Sequence, residues 1–326
     1  MSTSEPAALV ATCWTSAGAA VPGEGDQRSP FSLRERIEAV ATAGYAGAGF
    51  VLADLAECAE LAGHAGRAGG AGLTERDGMS LAELAAAMED LGLWHREVEL
   101  IEDWHLPGGA DADATTALLD AAVALDAAFV KVGPPRGPAL GNQDPRGAGL
   151  AASSSGEGAQ DRMASDWDGL VAPMRELADR AAERGVRLAL EPLPFARIPS
   201  IPAGAEFVRA VSRDNLGLAV DFWHVFRAGT SLDELAGALG PGEITAVELC
   251  DADAAPVGNL FDDTRHRRRY CGEGAQDVAG FIGVMRGLGF EGPWGVEILS
   301  AEHRARPLDE GLKKARDTAL ASFPPA

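Results

Sequence analysis

The chain has 326 residues, 49 acidic and 28 basic, which gives a formal net charge of −21. Such an excess of negative charge disfavours broad contact with nucleic acid or an anionic membrane, so the sequence predicts neither partner. The four cysteines show no paired spacing, the N-terminus lacks the basic region of a signal peptide, and no apolar run approaches the roughly 18 residues of a membrane helix, so we expect a soluble, cytoplasmic protein.

Short apolar runs alternate with amphipathic stretches along the whole chain. Strands are predicted, in chain order, at 8–13, 47–52, 95–100, 128–132, 187–191, 217–221, 244–250 and 295–298. Helical patterns follow them at 32–43, 81–91, 113–125, 167–184, 203–212, 231–238, 277–288 and 308–321. Three of these helices open with a Ser-x-x-Glu capping box, at Ser32, Ser80 and Ser231, which supports the predicted helix starts.

Eight strands, each followed by a helix and with no linker-like break, predict one α/β domain over residues 1–326, a (β/α)8 TIM barrel. A doubly wound open sheet is the alternative. That fold usually has a glycine-rich phosphate turn after its first strand, and the TCWTSAG segment at 12–18 is not one.

Two connections, 133–165 and 254–274, are longer than simple strand-to-helix loops. Both follow strands, which places them on the catalytic face of a barrel. The first is rich in Gly, Ser and Pro, so we predict that it is mobile or acts as a lid, with plain disorder as the alternative.

Acidic residues end or occupy four consecutive predicted strands. Strand five ends at Glu191, strand six at Asp221 and strand eight at Glu297, while strand seven carries Glu248. Unpaired carboxylates at the mouth of a barrel would repel one another and be costly to desolvate, although each alone could be a helix cap or half of an ion pair. A divalent cation removes the repulsion, and oxygen donors favour Mn²⁺ or Mg²⁺, with Zn²⁺, Co²⁺ and Fe²⁺ as alternatives. His224, three residues after Asp221, can face the same cavity as a ligand, a base or a substrate donor.

At these residues the chain resembles the xylose-isomerase-like barrels, which include ketose 3-epimerases and hydroxypyruvate isomerases. EPLPFAR resembles their EPLNR-type segment after strand five, DFWH their Asp-x-x-His segment, and GVEILS their strand-eight glutamate. The resemblance covers residues 180–310 and, before them, only the barrel pattern. The family usually has His or Gln where this chain has Glu248. Carried over by position, the resemblance implies metal binding by Glu191, Asp221, Glu248 and Glu297.

One branch of that family, the 3-dehydroshikimate dehydratases, is similar to this chain at two further places. It has arginine at the position of Arg197, where ketose epimerases tend to have glutamate, and a basic loop after strand seven. Here that loop reads TRHRRRYCGEG, with five consecutive basic residues at 265–269. Guanidinium groups pair bidentately with carboxylate or phosphate, so the run predicts a clamp for an anionic substrate, or else a solvated loop that neutralises nearby acids. The predicted substrate contacts are Arg197, Arg267, His266 and a stacking Trp14.

These features predict a metal-dependent isomerase or epimerase that abstracts a proton next to a carbonyl of a polyhydroxylated, anionic small molecule. A metal would stabilise the developing enediolate, and Glu191 and Glu297 would move protons on opposite faces of the carbon. His224 would bond a substrate oxygen or shuttle the proton. If a β-hydroxyl leaves instead, the same residues make a dehydratase, so that lyase is the first alternative.

Three other functional classes would each show a distinguishing feature. A multi-zinc endonuclease of the same superfamily would need more than the six histidines present and a basic face. A non-catalytic binding barrel would bind metal without turning over any polyol. A metal-binding subunit of a glycoside-cleaving complex would co-purify with a small partner protein. The sequence leaves open whether the chain forms a homo-oligomer.

Overall fold

Eight parallel strands close into a barrel in the computed structural model of the chain. Around the barrel each strand pairs with its neighbour in the chain, and the last strand closes the ring against the first. This architecture confirms the predicted (β/α)8 fold. The structure describes residues 7–56, 58, 61, 79–137, 158–240 and 242–324, and for 158–168 it describes the backbone alone.

The strands are β1 (Leu9–Ala11), β2 (Gly47–Val51), β3 (His95–Ile101), β4 (Phe129–Val132), β5 (Leu188–Leu190), β6 (Leu216–Asp221), β7 (Ile244–Leu249), β8 (Asp251–Ala252), β9 (Arg268–Arg269) and β10 (Trp294–Val296). Strands β8 and β9 pair antiparallel outside the barrel. The helices are α1 (Cys13–Ser16), α2 (Leu33–Ala43), α3 (Leu52–Leu55), α4 (Leu81–Asp90), α5 (Asp113–Ala124), α6 (Gly158–Glu183), α7 (Ile201–Val211), α8 (Phe222–Arg227), α9 (Leu232–Ala238), α10 (Leu260–His266), α11 (Val278–Gly287), α12 (Ala301–Arg304) and α13 (Leu308–Ala321). Two 3₁₀ helices, Asp103–His105 and Gly109–Asp111, follow β3. In the described part of the chain no helix is both long and apolar enough to cross a bilayer.

The predicted strands and helices are all present, and most of their ends differ from prediction by one to three residues. Helix α6 is the exception, because it begins at Gly158 rather than at residue 167. Its first residues, GAQDRMAS, include several that favour a helix, so the long connection after β4 is shorter than predicted. Residues 138–157 of that connection lie outside the described residues, and its role as a lid stays a prediction.

The second long connection, residues 254–274, contains regular structure. Helix α10 begins after Asn259, whose side chain accepts a hydrogen bond of 2.8 Å from the Asp262 N–H. The chain then forms β9, which places the basic run partly at a helix end and partly in a strand. The run is therefore part of regular structure rather than of an irregular loop, and backbone pairing holds Arg268 and Arg269 in place.

The barrel interior has an apolar layer below a charged layer. The apolar layer is a separate buried cluster of Phe129, Ala189, Ala219 and Ala246, from four neighbouring strands. Alternate residues of a strand point to the same side, so the next inward positions lie two residues further along each strand. Those positions are Lys131, Glu191, Asp221 and Glu248. The three alanines leave room for the Phe129 ring, which fills this layer of the barrel. Because the layer is apolar and filled, these polar side chains lie on its catalytic side.

Gly217 on β6 allows close packing below this apolar layer. A Cβ added there would lie 2.2 Å from Thr245 Oγ1 and 2.9 Å from the carbonyl oxygen of Glu243. A backbone atom cannot turn away as a side chain can. We therefore expect Gly217→Ala to lower the free energy of unfolding by about 2 kcal/mol, measured by urea denaturation.

The control for this substitution is Gly237→Ala in α9. A Cβ at Gly237 would meet no atom within 4 Å, and alanine favours a helix interior over glycine by about 1 kcal/mol. We expect this variant to be as stable as the wild type or more so. Equal losses in the two variants would show that close packing at Gly217 does not limit stability.

Candidate active site

The four acids predicted at the strand ends lie together. One carboxylate oxygen each from Glu191, Asp221, Glu248 and Glu297 can be chosen so that all four lie within 4.8 Å of one another. Asp221 and Glu248 are register partners of β6 and β7, and Gly295 of β10 pairs with Glu248 on its other side. A Cβ at Gly295 would lie 2.9 Å from Glu248 Cγ, so this glycine leaves the space that the glutamate occupies. All four side chains are buried.

Asp221 joins the strand to the following helix. Its Oδ1 accepts hydrogen bonds from the backbone N–H groups of Trp223 (2.6 Å) and His224 (3.3 Å), so it caps α8. The cap turns His224 back towards the acids, where Nε2 lies 3.4 Å from Glu191 Oε1 and 3.9 Å from Asp221 Oδ2. His224 Nδ1 is buried and has no hydrogen-bond partner among the described residues. Glu191, Asp221 and His224 thus form a second possible set of metal ligands.

Lys131 on β4 lies in the middle of the acids and is not among the residues predicted from the sequence. Its Nζ is 2.5 Å from Glu248 Oε1, 3.2 Å from Glu99 Oε2, 3.5 Å from Glu297 Oε1 and 4.0 Å from Glu191 Oε2. Only 2% of its surface is exposed. The available signal was its position, two residues after Phe129 in a strand that points alternate residues inward.

Arg268 on β9 supplies the second buried cation. Its Nη1 donates to Asp221 Oδ2, and its Nη2 lies 3.1 Å from Glu297 Oε2. Its Nη2 also donates to the Thr264 hydroxyl at 3.0 Å. Together, Lys131 and Arg268 place a cation within 4.0 Å of every acid of the predicted metal site.

Burial and charge divide the acids into two groups. Burial raises the pKa of Glu99 to about 7, although Lys131 partly opposes the shift. Burial, reinforced by Glu297, raises the pKa of Glu248 well above its usual range. Asp221 behaves in the opposite way, because Arg268 and then His224 outweigh its burial and lower its pKa. For Glu99 and Glu248, the cost of burial therefore outweighs the attraction of Lys131.

A cavity of about 390 Å³ opens above the acids. Glu99, Glu191, His224, Arg268 and Glu297 line it. Asp221, Glu248 and Lys131 are not part of its lining, so they lie beneath the first group. Of the four predicted acids, Glu191 and Glu297 therefore line the cavity, and Asp221 and Glu248 do not.

The predicted substrate contacts are not all at the cavity. Trp14 lines it, whereas Arg197, His266 and Arg267 do not. The Arg197 backbone N–H donates to the Pro135 carbonyl on the connection after β4. His266 accepts a bond of 2.7 Å from Arg304 Nη2, with its Nε2 3.3 Å from Glu24, and Arg267 is exposed. Their roles as substrate contacts stay predictions. The arginines that do line the cavity are Arg28, Arg136, Arg265 and Arg268.

Most of the basic run pairs with acids of the protein itself. Arg265 Nη2 lies 2.6 Å from Asp262, and Arg269 Nη2 lies 2.9 Å from Asp253. With Arg268 on Asp221, three guanidinium groups of the run neutralise nearby carboxylates. This observation favours the alternative interpretation of the run for those three residues, and Arg265 and Arg268 face the cavity while doing so.

Comparison with known proteins gives a family and two groups of relatives. Residues 37–318 match the family described as xylose isomerase-like TIM barrel. An inosose isomerase from Halalkalibacterium halodurans is 30% identical over 149 residues, 45% of this chain and 51% of that protein. A 3-dehydroshikimate dehydratase from Pseudomonas aeruginosa is 32% identical over 140 residues, 42% of this chain and 22% of that protein. The matches thus span about half the length of the first relative and less of the second.

A solved structure gives the same fold. The crystal structure of the IolI protein with a bound zinc atom has a TM-score of 0.70 and is 18% identical, and the match covers 97% of each chain. At that identity the likeness shows the fold alone.

The buried position of Arg268 leads to a stability prediction. Arg268→Met removes the cation that pairs with Asp221 and with one oxygen of Glu297. Removing one partner of a buried ion pair leaves an uncompensated buried charge, which costs about 3–5 kcal/mol. We expect a loss of that size in the free energy of unfolding of chelator-treated protein, measured in guanidinium chloride.

The neighbouring residue provides the control. Arg267 is exposed, so Arg267→Met should change the free energy of unfolding by no more than about 0.5 kcal/mol. If the two variants lost stability equally, the structural distinction between these adjacent arginines would be wrong.

Proposed function

Since the chain belongs to the xylose isomerase-like TIM barrel family, we propose that it is an isomerase or epimerase that moves a proton next to a carbonyl of a polyhydroxylated small molecule. One observation carries the proposal. Glu191 and Glu297 both line the cavity, and they directly follow β5 and β10, with β6 and β7 between these strands around the barrel. Two carboxylates that face one cavity from separate strands can act on two faces of a bound carbon.

The acids fit a divalent metal ion. Glu248 Oε2 is buried and has no hydrogen-bond partner among the described residues, although its other oxygen contacts Lys131. The ligand oxygens of the four acids are close enough for one ion, and an oxygen-only donor set suits Mn²⁺ or Mg²⁺. We propose that Glu191, Asp221, Glu248 and Glu297 hold it. When bound, the ion would stabilise negative charge on a substrate oxygen.

The chain's own residues would handle the proton and the substrate. Glu191 and Glu297 are the proposed proton carriers, because they are the ligands that reach the cavity. His224 lies beside Glu191 and lines the same cavity, so it is the proposed hydrogen-bond partner of a substrate oxygen. The apolar part of the lining, which includes Trp14, Phe195 and Phe261, would exclude water from the reacting carbon.

An anionic group on the substrate is supported by the four arginines of the lining, although at least three of them, Arg136, Arg265 and Arg268, pair with acids of the protein. Arg136 is the clearest candidate, since its side chain lines the cavity, is 66% exposed and stacks on Phe261 at 5.0 Å. It pairs with Glu102 at 3.6 Å, but both side chains are exposed, and an ion pair of that kind contributes only about 0–1 kcal/mol, so a ligand can replace it. A charged hydrogen bond contributes about 1.5–3 kcal/mol. Substrate contacts by Arg197, Arg267 and His266 belong to the same proposal, but their side chains would have to reach the ligand from outside the described lining.

A dehydratase is the second candidate. The relative from Pseudomonas aeruginosa is named 3-dehydroshikimate dehydratase, and at Arg197 the sequence resembles that branch of the family. Loss of a β-hydroxyl needs the same first step, abstraction of the proton next to the carbonyl. The fate of the hydroxyl group therefore separates the two reactions, and product analysis distinguishes them.

Metal content tests the proposed ligands. Protein purified without chelator should contain one divalent ion per chain by elemental analysis, and Asp221→Ala and Glu297→Ala should lose it because each removes a ligand oxygen. Glu89→Gln, an exposed substitution on α4, should retain it. Unchanged metal content in both site variants would contradict the proposed ligand set.

Isotope exchange tests the proton chemistry. In D₂O, the wild type should transfer deuterium to the carbon next to the carbonyl of an inosose, a ketose or 3-dehydroshikimate, followed by NMR. Glu191→Gln and Glu297→Gln should slow that exchange at least about 100-fold, since each removes a proposed proton carrier. Glu89→Gln is again the control. Wild-type exchange rates in both glutamine variants would rule out the assigned roles.

A further inference from the structure

A fixed positive charge lies among the proposed metal ligands. Lys131 Nζ contacts three of them, Glu248, Glu297 and Glu191, at 2.5, 3.5 and 4.0 Å. We infer that Lys131 is an internal cation that competes with the divalent ion for these carboxylates and thereby sets the metal affinity of the site. The inference rests on the proposed function only in taking these acids as the ligands.

The two oxygens of Glu248 show how Lys131 and a metal ion would compete for one carboxylate. Its Oε1 bonds the Lys131 ammonium, while its Oε2 is buried without a partner among the described residues. One carboxylate thus has one oxygen held by the internal cation and one available to an ion. An ion on Oε2 would lie within a few ångström of the ammonium, and two cations at that separation repel strongly in a buried site.

The surroundings of Lys131 prevent it from leaving. It lies on β4, in register with Ala189 of β5, above the apolar layer that contains Phe129. Its Nζ also contacts Glu99 at 3.2 Å, an acid outside the proposed ligand set. A lysine so enclosed cannot swing into solvent when an ion enters, so its charge acts on the bound ion at all times.

The balance of charge gives the direction in which removal of Lys131 would change the metal affinity and the stability of the apo protein. Five buried carboxylates, Glu99, Glu191, Asp221, Glu248 and Glu297, face two buried cations, Lys131 and Arg268. Removing Lys131 leaves the acids with less compensation. The apo protein should then be less stable, and the attraction of the site for a divalent ion should rise.

Calorimetric titration of chelator-treated protein with Mn²⁺ tests this inference. We expect Lys131→Met to bind Mn²⁺ at least about tenfold more tightly than the wild type and, without metal, to unfold at a lower temperature. Lys131→Arg keeps the charge and should retain wild-type affinity. Lys131→Gln, which is neutral but can still donate to Glu248, is the second variant if the methionine variant does not fold, and it should also bind more tightly.

The outcomes separate this inference from the proposed function. Equal or weaker Mn²⁺ binding by both neutral variants would overturn the competition, even if the wild type binds metal and the proposed function stands. A wild type that binds no Mn²⁺, beside a neutral variant that binds one ion, would support the competition and contradict a metal-dependent function. Loss of stability alone, with unchanged affinity, would make Lys131 a structural counter-ion and nothing more.

Discussion

Burying five carboxylates at the mouth of one barrel is the constraint on which the rest of this structure depends. Each carboxylate loses its hydration, and each repels the others, so the cluster persists only where positive charge enters with it. Lys131 lies on β4, a strand of the barrel, and Arg268 lies on β9, which is outside the barrel. The two cations reach opposite sides of Glu297, whose two oxygens contact one cation each. The acids are thus held in a fixed arrangement before any ligand binds.

The geometry of strands explains why the charges lie in one layer. Side chains alternate with a period of two, and the small alanines of the apolar layer place Phe129 directly below the charged positions. The charged side chains cannot turn towards that apolar layer, so their oxygens and Lys131 Nζ converge towards the cavity. In register, Asp221, Glu248 and Gly295 lie side by side on three neighbouring strands, and the missing side chain of Gly295 makes room for Glu248. The pairing register that closes the barrel therefore also places the acids next to one another.

The sequence predicted the acids because their signal is local: each one ends or occupies an apolar strand, and parallel strands share one catalytic end. Lys131 escaped because a lysine in a strand usually points to solvent. Its spacing of two residues from Phe129 indicates an inward side chain only when Phe129 is known to face the barrel interior, and the closed barrel shows that. Arg268 escaped for another reason. It belongs to a basic run typical of an anion clamp, and only the pairing of β9 with β8 shows that this arginine turns inward while Arg267 stays exposed. The orientations of Lys131 and Arg268 both depend on pairing between strands that are distant in the sequence, and composition does not reveal such pairing.

Under the proposed function, the two buried cations would link the affinity of the acids for a metal ion to the charge of the ligand in the cavity. Arg268 lines the cavity, so an anionic group that contacts it would share the guanidinium with Asp221 and Glu297. It also follows α10, whose Phe261 packs on Phe195 at 5.5 Å, so the segment that borders the cavity is tied to the buried acids. A ligand that draws Arg268 away from the acids leaves them more negative, which strengthens their hold on a cation. Anion binding above the acids and cation binding among them should therefore favour each other, because both depend on how much of the carboxylate charge Arg268 and Lys131 leave uncompensated.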